Sequence, residues 1–394
     1  MKTMNSDLFK PVFILGPGNC GYELLVSLLD NHDEAVVMPY SLKFYTWYKK
    51  FKLDKEKNID NLKNFILNET KLKRFKNGYH EIENLFFTDI SIVQDLSKFN
   101  SNIFEENFKT YFENNPINRK NILKAIFLSY ALAIGKDLTK IKTFFIDNMY
   151  RDNTNEIIED FPDTKFLYLM RDPRETFLSQ SQYFFSKNFT MTNIKNYRNL
   201  YFQTLKKSLS ESYNMLKKIK SNTSIDLQIV KFENIHLKKE KIMKNISKKY
   251  NLEFNQCLLD TTIFGKKSSN VSSFSTKPVT GVSESRLLRY KRRLSILNII
   301  FLEKIFFNKF KENNYEFSYK QNNLKNFLFF LSYFFPMKNE LLPSKLIFKA
   351  RYKKKFKNNI FFKILKYIIF FFGNIFFYFT NRLFINYKIY SIRD

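Results

Sequence analysis

The run Pro11–Gly16 (PVFILG) breaks into the turn Gly16-Pro-Gly-Asn-Cys-Gly21, and Leu24, Leu25, Leu28 and Leu29 then follow at helical spacing. A short apolar run, a glycine-bearing turn and an amphipathic helix are the opening of a phosphate-binding βαβ unit. The glycines let backbone amides approach an anion at the helix N-terminus. Three more runs read as strands: Thr143–Asp147 (TFFID), Lys165–Met170 (KFLYLM) and Asp226–Phe232 (DLQIVKF). Helical patterns alternate with them, so the expected fold is α/β: a P-loop-like three-layer domain with a mostly parallel sheet of about five strands. The polar residues that end these strands would gather along one edge, where such sheets place their ligands.

Charge narrows the partners. Lys and Arg number 66 against 37 Asp and Glu, a formal net charge of +29, which favours anionic partners. Hydrophobic residues make up 44% of the 394, enough for a full core, and wholesale disorder is excluded. Two cysteines, Cys20 and Cys257, make no disulfide framework or zinc pattern, and the three histidines (His32, His80, His236) stand far apart, so no metal site is expected. The N-terminal MKTMNSDLFK has no apolar core for a signal peptide, which points to a cytoplasmic body. No fold-level feature supports nucleic-acid binding through the basic cluster Arg286, Arg289, Lys291, Arg292, Arg293, for which Ser283 is a candidate helix N-cap.

The glycine loop lacks the Gly-Lys-Ser/Thr ending of a nucleotide triphosphatase, so ATP-driven chemistry loses its phosphate lysine and its magnesium ligand. The second loop, Met170-Arg-Asp-Pro-Arg-Glu-Thr-Phe-Leu-Ser179, puts an arginine at a strand end and a serine two helical turns on. Together these can chelate one phosphate by a charge-assisted fork and a hydroxyl.

Four motifs in this order resemble the sulfotransferases that use 3′-phosphoadenosine 5′-phosphosulfate (PAPS), especially their broad bacterial and Golgi-type branch. The similarity runs over about residues 11–305. Pro11–His32 resembles the 5′-phosphosulfate loop and its helix; Phe161–Ser179 is similar to the 3′-phosphate motif; Val230–Ile235 resembles an Arg-Tyr-Glu-Asp-Leu strand. Phe264-Gly-Lys-Lys-Ser-Ser-Asn270, with Gly281–Leu294 after it, is similar to the late basic segment that closes on the cofactor. The resemblance implies cofactor contacts from Gly16, Gly18, Asn19, Cys20, Gly21, Tyr22, Arg171, Ser179, Lys266 and Lys267. It implies transfer of a sulfo group to a hydroxyl or amine of a carbohydrate or small metabolite, without a metal.

The chain departs from that pattern in its first loop. Where the family writes Gly-x-x-Arg/Lys-Ser-Gly-Thr-Thr, this chain has Asn19 for the cation and Tyr22 and Glu23 for the threonines. Ile146-Asp147-Asn148-Met149 lacks the lysine that often precedes the arginine motif, and Tyr40-Ser41 lacks the glutamate that serves many relatives as general base. Substitutes would have to come from Lys43, His80, Glu81 or the Arg286–Arg293 cluster. Otherwise the chain is a non-catalytic nucleotide or glycan binder of a surface-polysaccharide pathway.

The expected domain division is 1–315 for the sulfotransferase-like part, with a helical insert at 49–129 on the acceptor side, and 316–394 for a basic, Phe-rich extension. From Leu341 to Arg393 there is no acidic residue, Lys353-Lys-Lys355 is consecutive, and Tyr367–Asn381 is uncharged. As a helix that uncharged stretch would be about 22 Å long, short of the ~30 Å hydrocarbon core. It would lie at an anionic inner-membrane face or pack on the domain.

Overall fold

The computed structural model describes residues 9–70, 72–82, 92–149, 152–187, 209–270, 279–320 and 322–331. The charged and Phe-rich stretch Lys353–Asn381 lies outside these. The chain forms two compact units, Met1–Arg171 with Asn214–Glu284, and Asp172–Tyr213 with Ser285–Asp394.

The first unit carries the sheet. Strands β1 (Pro11–Leu15), β2 (Ala35–Val37), β5 (Thr143–Asp147), β6 (Lys165–Met170) and β7 (Asp226–Lys231) pair in the order β2-β5-β1-β6-β7. Every pairing is parallel. Four of these strands were legible to the residue or within one of it. The strand expected to run to Phe232 stops at Lys231, because Phe232 opens a helix, Phe232–Leu237. β2 has only three residues and offers too short an apolar run to be read from sequence.

β1 and β5 are buried on alternate residues alike, so both faces of the sheet are covered. On one face Phe13, Phe144 and Phe9 meet Tyr45, Phe127 and Phe161. Tyr45 belongs to α2 (Phe44–Lys50), which follows α1 (Tyr22–Leu29) in the chain. Phe145 points the other way and packs edge-on against Tyr250. Burying each such aromatic contributes roughly 1.5–3 kcal/mol, so this double layer is what fixes the strand edge in place.

The stretch expected to be a helical insert is helical with one addition. After α3 (Ile59–Glu69) and α4 (Lys73–Lys76) an antiparallel pair, β3 (Tyr79–Ile82) with β4 (Ile92–Asp95), interrupts the helices. Then come α5 (Ser101–Tyr111) and α6 (Arg119–Ala133), each with an asparagine N-cap whose side chain accepts first-turn amides.

The described residues of the second unit are mainly helical. The helices Pro173–Lys187, Ile296–Ile305, Phe307–Glu312 and Asn323–Leu331 are its main described elements. At its centre the guanidinium of Arg174 bonds Asp172 at 2.6 Å and Glu303 at 2.5 Å, between the rings of Tyr290 and Phe310. Glu303 also takes Lys325 Nζ at 2.7 Å and is 0% exposed. The basic cluster is not one helix begun at Ser283: a single 3₁₀ turn at Glu284–Arg286 is separated from the helix Tyr290–Arg293 by Leu288, which is left-handed at φ 53°. The Ser283 amide donates to His236 Nδ1 at 2.9 Å.

Candidate functional site

Parallel pairing brings the carboxyl ends of the five strands to one edge, and four of them end in residues that carry chemistry. β1 runs into the glycine loop, β5 ends at Asp147, β6 is followed by Arg171, and β2 by Tyr40 and Ser41.

The loop needs its glycines at two points. Gly16 has φ 149°, and a Cβ there would lie 2.5 Å from the Leu169 carbonyl oxygen of the neighbouring strand. Gly21 has φ 104°, and a Cβ would lie 2.2 Å from the Phe232 ring. Asn19 is left-handed at φ 59°, a conformation that asparagine tolerates better than a long cationic side chain. Gly21 is also the N-cap of α1, and it has no side chain with which to cap the helix. A helix N-terminus beside a glycine turn has the donor chemistry an anionic phosphate or sulfate takes.

Arg171 stands against this loop. It is 3% exposed, donates from Nη1 to the Asn19 carbonyl oxygen at 2.6 Å, and lies with Cζ 4.3 Å from the centre of the Phe232 ring. Cys20 is fully buried; burial pushes its thiol up to about 12, against the opposing field of Arg171. At neutral pH it is a packing thiol beside Gly16 rather than a nucleophile. Tyr22 turns inward, its hydroxyl donating to the Met38 carbonyl at 3.4 Å, and burial raises its pKa. Glu23 does not point into the core: it is exposed in the first turn of α1.

A second cluster at the same edge was not legible in the sequence. Asp147 is buried, accepts the Ser41 hydroxyl on one oxygen, and takes the Leu42 amide at 2.7 Å and the Lys43 amide at 3.4 Å on the other. Burial raises its carboxyl above the ordinary range, and these donors with the Lys43 ammonium oppose the rise. The position expected to hold an acid, Tyr40-Ser41, thus has one supplied from β5, 106 residues away. Lys43 is the left-handed N-cap of α2, half-buried beside that carboxylate. Arg74, on α4, lies over the Tyr40 ring at 5.2 Å, and burial raises the Tyr40 hydroxyl, with Arg74 and Glu23 acting on it in opposite senses. Neither Asp147 nor Arg74 belongs to a local motif; only the ending of a strand on an acid pointed to the first.

The other sequence candidates lie elsewhere. His80 and Glu81 are on β3, in register with Gln94 and Val93. Lys266 and Lys267 form β9, paired with β8 (Thr262–Ile263), and both are exposed, Lys266 in an ion pair with Asp95. That hairpin is tied to the C-terminal end of α1 through Asp30, which accepts Thr262 Oγ1 at 3.0 Å and the Gly265 amide at 2.8 Å. The loop is at the opposite end of this eight-residue helix, about 12 Å away. The two lysines are not brought to the loop. Ser179 is buried on the helix Pro173–Lys187 of the second unit. His32 is structural, its ring bonded to the Glu253 carbonyl and to the Glu34 amide. No group of three or more potential metal ligands occurs among the described residues.

A family model described as the sulfotransferase family matches residues 11–256. No curated protein matches the chain. Among solved structures, the sulfotransferase domain of the Synechococcus PCC 7002 olefin synthase is similar at 11% identity and TM-score 0.39, over 72% of this chain and 88% of that one. The sulfotransferase domain from the curacin biosynthetic pathway is 12% identical with TM-score 0.39, over 81% and 96%. The sulfotransferase STF9 from Mycobacterium avium is 10% identical with TM-score 0.42, over 79% of each chain.

Proposed function

Since the chain belongs to the sulfotransferase family, we propose that it moves a sulfo group from PAPS to a hydroxyl or amine of a carbohydrate or small metabolite. The observation that carries this reading is the N-terminus of α1 directly behind the glycine loop, with the buried Arg171 against that same loop. PAPS when bound supplies an activated sulfo group with adenosine 3′,5′-bisphosphate as leaving group. The amides of Gly18–Gly21 would hold its 5′-phosphate, and Arg171 its 3′-phosphate.

What the chain contributes beyond binding is orientation and a place for a proton. Asp147 is a buried carboxylate at this edge. A proton leaving an acceptor hydroxyl would pass to Ser41 Oγ while the Ser41 proton passes to Asp147. The base must be ionised, so turnover rises with pH through the raised pKa of Asp147. Release of adenosine 3′,5′-bisphosphate from PAPS, followed with a panel of mono- and oligosaccharide acceptors, tests the reading. Acceptor-dependent release is expected. Asp147→Asn should slow it by about 10²-fold without weakening nucleotide binding, and should remove the acidic limb of the pH profile.

Asn19 favours a second reading. It places an amide where a cation would meet the leaving group, and its own carbonyl is taken by Arg171. A chain that binds the nucleotide yet releases none of it with any acceptor would be a binder that kept the fold.

A further inference from the structure

Resting on the sulfo-transfer reading above, we propose that Arg74 binds the acceptor, and that the acceptor is a hydroxyl compound that also carries a carboxylate. Arg74 is held in place by its neighbour. Phe75 is buried among the rings of Tyr40, Phe99, Tyr130 and Phe264, with centroids 5.6 to 5.7 Å away. A four-residue helix is too short to hold itself, so this anchor is what fixes α4. It sets the half-buried Arg74 guanidinium over the Tyr40 ring, 5.2 Å from its centre. Arg119, Arg174 and Arg289 each meet a carboxylate of the chain. Among the described residues Arg74 meets none, and it donates no hydrogen bond. A guanidinium ordered by a ring face rather than by an acid keeps its planar fork of donors for an incoming carboxylate.

Its place in the chain ties it to the acceptor. Tyr40 immediately precedes Ser41, whose hydroxyl donates to Asp147. An acceptor that offers its hydroxyl to Ser41 therefore lies beside the residue that carries Arg74. Lys43 serves a different charge: its ammonium offsets the Asp147 carboxylate. Glu23, exposed in the first turn of α1, also acts on Tyr40, in the sense opposite to Arg74. It does not pair with Arg74, so the fork stays available, and the chain around it has a net charge of +29. A neutral acceptor would leave the guanidinium bonded to water alone. One with a carboxylate exchanges that water for a charge-assisted pair and is oriented by it.

Calorimetry of the full chain, with and without adenosine 3′,5′-bisphosphate, tests this with ligand pairs that differ only in charge. Oligogalacturonate is compared with its methyl ester, and glycerate with methyl glycerate, which separates an acidic saccharide from a small hydroxy acid. At least one acid should bind about tenfold more tightly than its ester. Arg74→Gln, with unchanged circular dichroism and melting, should abolish that preference. Arg74→Lys keeps the charge without the fork and should retain only part of it. Should Arg74→Gln misfold, the reduced preference of Arg74→Lys decides in its place. The nucleotide titration reads the sulfo-transfer proposal separately: a chain that takes up no nucleotide fails that reading, while the comparison of acid with ester is still made. Equal binding of acid and ester in both pairs overturns the assignment of Arg74, and so does a folded Arg74 variant whose preference equals that of the wild type.

Discussion

Glu303→Ala is expected to destabilise the second unit by about 3–5 kcal/mol, the range for breaking a buried ion pair from one side. Glu303 is 0% exposed, and each of its oxygens serves a different cation. Oε1 takes Arg174 and the Ser318 amide, and Oε2 takes Lys325. Without the carboxylate, Arg174 keeps Asp172, but Lys325 keeps only the Tyr319 carbonyl at 3.1 Å and the Phe317 ring. Two buried cations then share one carboxylate. Urea unfolding followed by circular dichroism should show the loss. Pairing Glu303→Leu with Lys325→Met should recover much of it, because a matched apolar replacement leaves no charge uncompensated. A loss below about 1 kcal/mol for Glu303→Ala would show that the network is not closed as described.

Gly16→Ala is expected to cost a similar amount, about 3–5 kcal/mol, by adding backbone strain to a clash. The clash is with the Leu169 carbonyl of a paired strand, which cannot move without opening the β1–β6 ladder. Gly21→Ala meets the Phe232 ring instead. Shortening that ring should relieve part of the loss, so Gly21→Ala with Phe232→Ala should be less than additive, whereas Gly16→Ala has no such partner. Thermal melting separates the cases. An unchanged midpoint for Gly16→Ala would mean that β1 and β6 do not approach as closely as they do here.

Much of this architecture was readable because its signals are local. PVFIL, TFFID and KFLYLM are short apolar runs closed by polar or glycine residues, and each became a strand of the parallel sheet. The loop and Arg171 were readable from their motifs, and parallel pairing then set them side by side. What escaped depends on distance along the chain or on elements too short to show a period. Ala35–Val37 has three residues. Asp147 and Ser41 are 106 residues apart, and Arg174 and Glu303 are 129 apart, with nothing local in either pair to announce the other. The basic run after Ser283 is not a single helix because one left-handed residue, Leu288, divides it.

The claim that this strand edge holds a 3′-phosphate nucleotide is tested most directly by calorimetric titration of the full chain with adenosine 3′,5′-bisphosphate. Saturable binding at one site per chain is expected, and Arg171→Ala should weaken it by about 2–4 kcal/mol, roughly 30- to 700-fold. No heat with the wild type, or equal affinity for wild type and Arg171→Ala, would contradict the assignment.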